Sequence, residues 1–312
     1  MDNIDVSIVI ISYNPTWEKL LVTISSAIKQ EDIASEIIVA DDGSDNNFFE
    51  RIKYIFRINN FTRYNLVGSE QNHGTCKNII KVMDLIHGKF IKLLSPGDYF
   101  VSNNSLKGWI TFMNSNNIDI SFGDAFFYNV DKYNKKKLIK VKEKPQNISI
   151  YDLEYSGKNR NNLQFINYIL LKDAPIGACF LTLTKLFKKY IVEIEDKIIY
   201  SEDVIYRLMI TDNIEIYHFP ESIIWYEYGT GISTSGKSKW NNVIQNEYRV
   251  CNEMIEERLE KAHGWINRKK HNALDCLMNN KREYIKYIIF PNLIIWKFKK
   301  DIGNRYSKET DN

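Results

Sequence analysis

The chain has little of what would mark a secreted, membrane-spanning or nucleic-acid-binding protein. Its four cysteines, Cys76, Cys179, Cys251 and Cys276, lie far apart and form no CxxC pair. They cannot build a dense disulfide framework. The simplest expectation is free thiols in a reducing compartment, each better suited to a buried structural role than to catalysis. No uninterrupted apolar stretch reaches the roughly 20 residues needed to cross a bilayer. Asp2 and Asp5 precede a short apolar run, where a secretory signal would carry basic residues and a longer core. Both absences predict a cytoplasmic protein. Lys and Arg exceed Asp and Glu only by 42 to 39, a net charge of +3 that by itself does not imply nucleic acid as a partner. There is no internal repeat and no low-complexity tract. Proline is scarce while Lys, Ile, Asn and Tyr are plentiful, a skew that fits codon bias in an AT-rich bacterium and indicates no function. What remains is 44% hydrophobic and 26% charged, as in an ordinary globular protein, and 312 residues suffice for one large domain or two modest ones.

The first third alternates strand and helix signals. Residues 6–11, VSIVII, read as a strand buried on both faces. Trp17, Leu20, Leu21, Ile24, Ala27 and Ile28 recur at helical spacing. Residues 37–40 predict a second strand, 47–58 a polar helix and 64–67 a weaker third strand. Cys76, Ile79, Ile80, Met83 and Ile86 predict a helix closed by Gly88 at its C′ position. Phe90 to Leu94 predict a fourth strand. This order argues for a doubly wound, mostly parallel sheet, whose ligands bind outside the carboxyl ends of the strands. The polar punctuation falls at those ends: Ser12-Tyr13-Asn14, Asp41-Asp42, Asn72-His73-Gly74 and Ser95 to Asp98.

Further on, residues 118–128 predict a strand turning through Gly123-Asp124. Residues 131–146 are Lys-rich and read as a surface hairpin, a solvated charge run rather than an anion patch. Residues 159–162 read as a loop, and 178–187 as a strand leading into a helix. Ser201 is a natural N-cap, with Glu202 and Asp203 in the first turn and Val204, Ile205, Leu208 and Met209 on the buried face. Residues 223–228 predict another strand, followed by a Gly/Ser/Thr loop to Ser238. Beyond Trp240, two or more charged helices are expected.

Five stretches, VSIVIISYN, EIIVADDGSDN, NHGTCKN, GKFIKLLSPGD and SEDVIYR, match in order and spacing those of family 2 glycosyltransferases, which the chain resembles over about residues 5–235. The resemblance implies the α/β GT-A fold: a Rossmann-like, mostly parallel sheet flanked by helices, with a C-terminal helical extension. It divides the chain into a catalytic domain, 1–238, and a helical extension, 239–312. Within the domain, a nucleotide-binding half covers about 1–100 and an acceptor half about 101–238.

The resemblance also assigns roles. Ile11 and Tyr13 at the first strand end, Asp41 and Asp42 in the next loop, Lys77 and Gly97 would contact the nucleotide-sugar donor. Tyr13 would pack on the base, and an aspartate would accept from base or ribose. Gly43 would let the chain turn close to the ligand. A tight turn capping the next helix is the plainer reading of DDGS. Lys77 stands where relatives usually carry Arg, and keeps the charge but not the bidentate geometry. Relatives commonly hold Mg²⁺ or Mn²⁺ in a D-x-D-D loop. Here Ser95 and Gly97 replace two of those acids, so Asp98 is the metal ligand expected, with a simple turn as the alternative. Many relatives add a metal-binding His after a later strand. This chain has none there, and its acid in that stretch is Glu227. Asp203 matches the family's catalytic base and Glu202 an acceptor contact, although acids are common in any first helical turn.

The implied function is inverting transfer of a hexosyl-type sugar from a nucleotide sugar to a saccharide or lipid-linked saccharide, in bacterial capsule or exopolysaccharide assembly. The alternative is a non-catalytic relative that binds a nucleotide sugar or glycan with a degenerate metal loop. A nucleotidyltransferase is a weaker third reading, because no Gly- and Arg-rich phosphate loop follows the first strand. Residues 282–300, REYIKYIIFPNLIIWKFKK, suit a basic segment lying on the anionic inner face of the cell membrane. They equally suit a helix packed on the catalytic domain or in a homodimer.

Overall fold

The computed structural model describes residues 3–130, 135–141, 145–231, 238–262 and 264–278, together with Pro291. Its first strands are β1 (Val6–Ser12), β2 (Ser35–Asp41), β3 (Tyr64–Gly68) and β4 (Phe90–Leu94). They pair in parallel in the order β3-β2-β1-β4. All seven residues of β2 and six of β1's seven are buried, so apolar side chains line both faces. β3 is the edge strand and has no buried residue, which accounts for its weaker sequence signal.

The crossovers carry α1 (Trp17–Ile28), α2 (Phe49–Ile58) and α3 (Thr75–Lys81). The Thr16 hydroxyl caps α1 by accepting the Lys19 N–H, and Leu20, Thr23, Ile24 and Ala27 form its buried face. α3 stops at Lys81, earlier than the spacing predicts, and a 3₁₀ turn (Met83–Leu85) carries on the apolar periodicity. Gly88 does not cap this helix, because it lacks the left-handed φ of a C′ glycine. Its role is close approach: a Cβ there would lie 2.3 Å from the Ser7 nitrogen.

The sheet continues through antiparallel pairs. Its remaining strands are β5 (Tyr99–Phe100), β6 (Ile120–Val130), β7 (Lys136–Leu138), β8 (Phe180–Leu183) and β9 (Tyr217–Glu227). Beyond β4 the order is β8-β6-β9-β5, with β7 paired to β6. α4 (Ser105–Ser115) and α6 (Thr184–Glu193) flank these strands. β6 does not turn at Gly123-Asp124 but runs straight through. Gly123 is where β6 meets β9: a Cβ would lie 2.4 Å from Ile223 Cγ1. β7, exposed at every residue, pairs antiparallel with the end of β6, while residues 131–134 and 142–144 of the expected Lys-rich hairpin lie outside the described residues.

Residues 3–140, 177–202 and 219–244 form one compact unit that holds most of this sheet. The second unit gathers residues 141–176, 203–218 and the chain from Gln245. It contains α5 (Arg160–Phe165), which continues into a π-helical turn (Ile166–Leu170), and α7 (Val204–Thr211). It also contains most of α8 (Ser238–Lys261) and all of α9 (Trp265–Met278), the helical C-terminal part. The expectation of a loop at 159–162 is corrected: the Asn-rich stretch starts α5, because Arg160, Gln164 and Phe165 turn inward. The buried Gln164 amide holds Ile216 through both its groups, accepting the Ile216 N–H (3.0 Å) and donating to the Ile216 carbonyl (2.7 Å). α7 begins at Val204 with Asp203 as its N-cap residue, so Ser201 is not the cap, and Asp203 makes no capping bond with its side chain.

Among the described residues no helix is long and apolar enough to cross a membrane. Residues 282–290 and 292–300 of the basic segment, and 232–237 of the Gly/Ser/Thr loop, lie outside the described residues.

Candidate active site

Parallel pairing brings the carboxyl ends of β1, β2 and β4 to one edge of the first unit, where sheets of this kind take ligands. The two loops after β1 and β2 are bonded to each other. Ser44 Oγ donates to Asp41 Oδ2 (2.6 Å) and accepts the Asn14 N–H (2.7 Å). The Asn14 side-chain oxygen accepts the Asp45 N–H at 2.9 Å. Asp41 also accepts the Ser44 N–H (2.9 Å), so its carboxylate shapes the turn. Asp42 reaches across instead: its carboxylate accepts the N–H groups of His73 (3.1 Å) and Gly74 (2.8 Å). Gly43, at φ +78°, has no room for a side chain, since a Cβ would lie 2.5 Å from the Gln71 carbonyl carbon.

Both expected aspartates are thus buried and already engaged with the backbone, though each carboxylate retains further acceptor capacity. Tyr13 is the open surface here, 54% exposed, while Ile11 is half-buried beside it. Lys77 is exposed in the first turn of α3. Lys81 is the cation that meets the aspartate loop directly: Nζ donates to the Asp41 carbonyl (3.0 Å) and to Ser69 Oγ (2.5 Å), and burial lowers its pKa. Sequence reading missed Lys81, whose position at the end of α3 looks like ordinary helix charging. It missed Asn78 as well. This buried side chain donates to the Ala40 carbonyl (2.8 Å) and leaves its oxygen without a hydrogen-bond partner.

The loop after β4 is gripped by α1. Gly97 N–H donates to Thr23 Oγ1 (3.0 Å), which in turn donates to the Asp98 carbonyl (2.7 Å). Tyr128 donates its hydroxyl to the Gly97 carbonyl at 2.5 Å. Asp98 is 4% exposed, and its Oδ1 accepts the Glu227 N–H at 3.1 Å. Burial pushes its carboxyl up to about 7, against the pull of that N–H and of the Lys92 charge, and the Glu227 carboxylate adds to the rise. Lys92 is itself lowered to about 8 by burial and gives its ammonium to the Ala178 carbonyl. Glu227, at the end of β9, pairs with Lys19 at 2.8 Å.

No group of three His, Cys, Asp or Glu side chains suited to a metal is present among the described residues. A hard divalent cation needs only one or two carboxylates when phosphate and water complete its shell. Asp98 provides one. The loop that holds it is fixed by side-chain and backbone bonds, and the buried Glu227 Oε2 beside it lacks a hydrogen-bond partner. The donor chemistry fits such an ion.

Asp203 belongs to the second unit. It keeps part of its surface open, yet the protein packed around it raises its carboxyl to about 6. Desolvation is the main cause. Arg207, one helical turn on, opposes the rise, and Glu247 on α8 adds to it. Arg207 is 3% exposed, donates to Asn252 Oδ1 (2.6 Å) and lies over the Tyr248 ring at 5.1 Å. Glu202, the expected acceptor contact, is half-buried immediately before it in the chain.

Residues 7–190 match the model of "Glycosyl transferase family 2". The solved structures similar to the chain include S. aureus TarS 1–349 in complex with UDP-GlcNAc, at 17% identity and a TM-score of 0.59, covering 92% of this chain and 73% of that one. The complex of the same fragment with UDP aligns at 15% identity and a TM-score of 0.55, over 91% and 74% of the two chains. A longer S. aureus TarS structure aligns at 14% identity and a TM-score of 0.56, and the match covers 92% of this chain but only 44% of TarS. A search of curated proteins found no match. At these identities the structures speak for the fold, which is the expected GT-A arrangement, while the family match covers more than half the sequence. The chain belongs to glycosyl transferase family 2.

Proposed function

We propose that this protein is an inverting glycosyltransferase that moves a sugar from a nucleotide-sugar donor to a saccharide hydroxyl. The observation that carries the reading is Asp203, an acid of the family's E-D pair whose carboxyl lies at about 6 in a packed but partly open setting. Such a group is ionised at neutral pH and close enough to it in pKa to take up a proton. In the reaction, the acceptor oxygen forms a bond to the anomeric carbon as the bond from that carbon to the diphosphate oxygen breaks. The electron pair leaves with the diphosphate, and the acceptor proton passes to Asp203.

On the donor side, Tyr13 packs on the base, and Asp41 and Asp42 shape the loops against which base and ribose rest. Ile11 and Gly97 line the same strand ends, and Lys77 approaches the diphosphate. Glu202 orients the acceptor. Asp98 would hold a Mg²⁺ or Mn²⁺ ion. When bound, such an ion offsets the charge on the departing diphosphate. The acceptor class, a saccharide or lipid-linked saccharide in bacterial surface polysaccharide assembly at the inner membrane face, is proposed on family grounds.

The test is release of nucleoside diphosphate from a panel of sugar nucleotides, with and without Mn²⁺, beginning with UDP-GlcNAc because a TarS structure holds it. Turnover that is lost in Asp203→Asn while donor binding persists is the expected result. Donor binding by the wild-type protein without turnover on any acceptor would favour a non-catalytic nucleotide-sugar-binding protein instead.

A further inference from the structure

Glu227 lies 129 residues beyond Asp98 in the chain, yet β9 delivers its backbone N–H onto the Asp98 carboxylate at 3.1 Å. Its own carboxylate is almost entirely buried, 4% exposed. One oxygen, Oε1, is paired with Lys19 at 2.8 Å. The other, Oε2, is buried with no hydrogen-bond partner. A buried carboxylate oxygen left in this way is costly, and a native structure that retains one needs a reason, of which an ion is one.

The direction of Oε2 is informative. It occupies the space that a side chain at position 97 would fill, since a Cβ on Gly97 would lie 2.4 Å from it. Gly97 also sits at φ +108°, a backbone state that suits glycine. The absence of a side chain at 97 is therefore what lets Glu227 reach the Asp98 loop. The loop is preset by Thr23 and Tyr128, so the two carboxylates do not depend on a ligand to come together. The nearby cations do not use up this arrangement. Lys19 engages Oε1, not Oε2, and Lys92 is committed to the Ala178 carbonyl.

We infer that Glu227 is a second carboxylate ligand, with Asp98, of a divalent-cation site, taking a hard, oxygen-seeking ion such as Mn²⁺ or Mg²⁺ whose remaining positions go to water and donor phosphate oxygens. The inference rests on the donor-site reading above and adds to it a residue supplied by a distant strand.

The experiment titrates Mn²⁺ into the full chain and follows the loss of the free-ion electron paramagnetic resonance signal, alone and with UDP, GDP or dTDP in turn. Glu227→Gln, which keeps shape and removes charge, should weaken Mn²⁺ binding at least tenfold. Asp98→Asn should do the same, and Glu227→Asp, which keeps the carboxylate on a shorter arm, should fall between wild type and Glu227→Gln. Nucleotide binding in EDTA, measured on the same variants, reads the donor site independently of the ion. A folded Glu227→Gln protein with wild-type Mn²⁺ affinity would overturn the inference, and so would a wild-type protein that binds nucleotide in EDTA yet takes up no Mn²⁺. Failure of every nucleotide to bind, alongside Glu227-dependent Mn²⁺ uptake, would overturn the donor reading and leave the ion site standing.

Discussion

A few side chains carry charge in places where water would normally stabilise it. As the proposed base, Asp203 can act only when ionised. With its carboxyl at about 6, kcat should fall roughly tenfold per pH unit below that value and level off above it. Asp203→Asn should lower kcat by about 10²–10⁴ while leaving donor affinity near wild type. The groups facing Asp203 are Arg207 on its own helix, Glu247 and Cys251 on α8, and Tyr168 from the π-helical turn. Of these, Arg207 favours the ionised form. Arg207→Gln should therefore raise the Asp203 pKa and move the acid limb of the kcat profile to higher pH, whereas Arg207→Lys should restore most of the limb. A profile that stays in place would remove Arg207 from this role. At this scale the sequence was partly legible. Asp203 stood out through the E-D pair, Asp41 and Asp42 through their loop. Glu227 was visible only as the acid in the stretch where relatives carry a metal-binding His; its reach to Asp98 depends on a strand pairing far along the chain and on the missing side chain of Gly97. Arg207 closes the SEDVIYR stretch, but nothing in the sequence assigned it a role beside Asp203.

Among the elements, the central strands were readable because burial on both faces leaves unbroken apolar runs. The errors came where a residue serves a neighbour rather than its own segment. Gly88 and Gly123 resemble punctuation in sequence, but each makes room for another strand, at Ser7 and Ile223 respectively. The Asn-rich start of α5 resembles a loop because two of the three side chains that bury the helix, Gln164 and Phe165, come later. Two stability tests follow. Gly43→Ala must force both a φ of +78° and a contact with the Gln71 backbone, so it should cost about 1–3 kcal/mol, read from urea midpoints. Ile255→Ala on α8, fully buried, should cost about 2–5 kcal/mol. α8 reaches α7 through Asn252 and through Cys251 against the Val204 carbonyl, so residual Ile255→Ala enzyme should show lowered kcat with donor affinity unchanged.

On the scale of the whole molecule, the chain passes between its two compact units after Lys140, Ile176, Glu202, His218 and Ile244. The second unit cannot be excised as one continuous piece. Such threading couples the two, and urea unfolding followed by tryptophan fluorescence and by far-ultraviolet dichroism should give coincident transitions. A clear lag between the probes would show that one unit opens alone. The threading also sets an order of events during synthesis. The parallel half of the sheet is complete once Leu94 has left the ribosome, so the loops proposed to meet the nucleotide can form early. The helix that starts after Asp203 finds Asn252 and Cys251 only when α8 has been made. A nascent chain stalled near residue 230 would thus carry its proposed nucleotide loops already formed, while Asp203, the proposed base, still lacked α8, the helix that packs on its own helix.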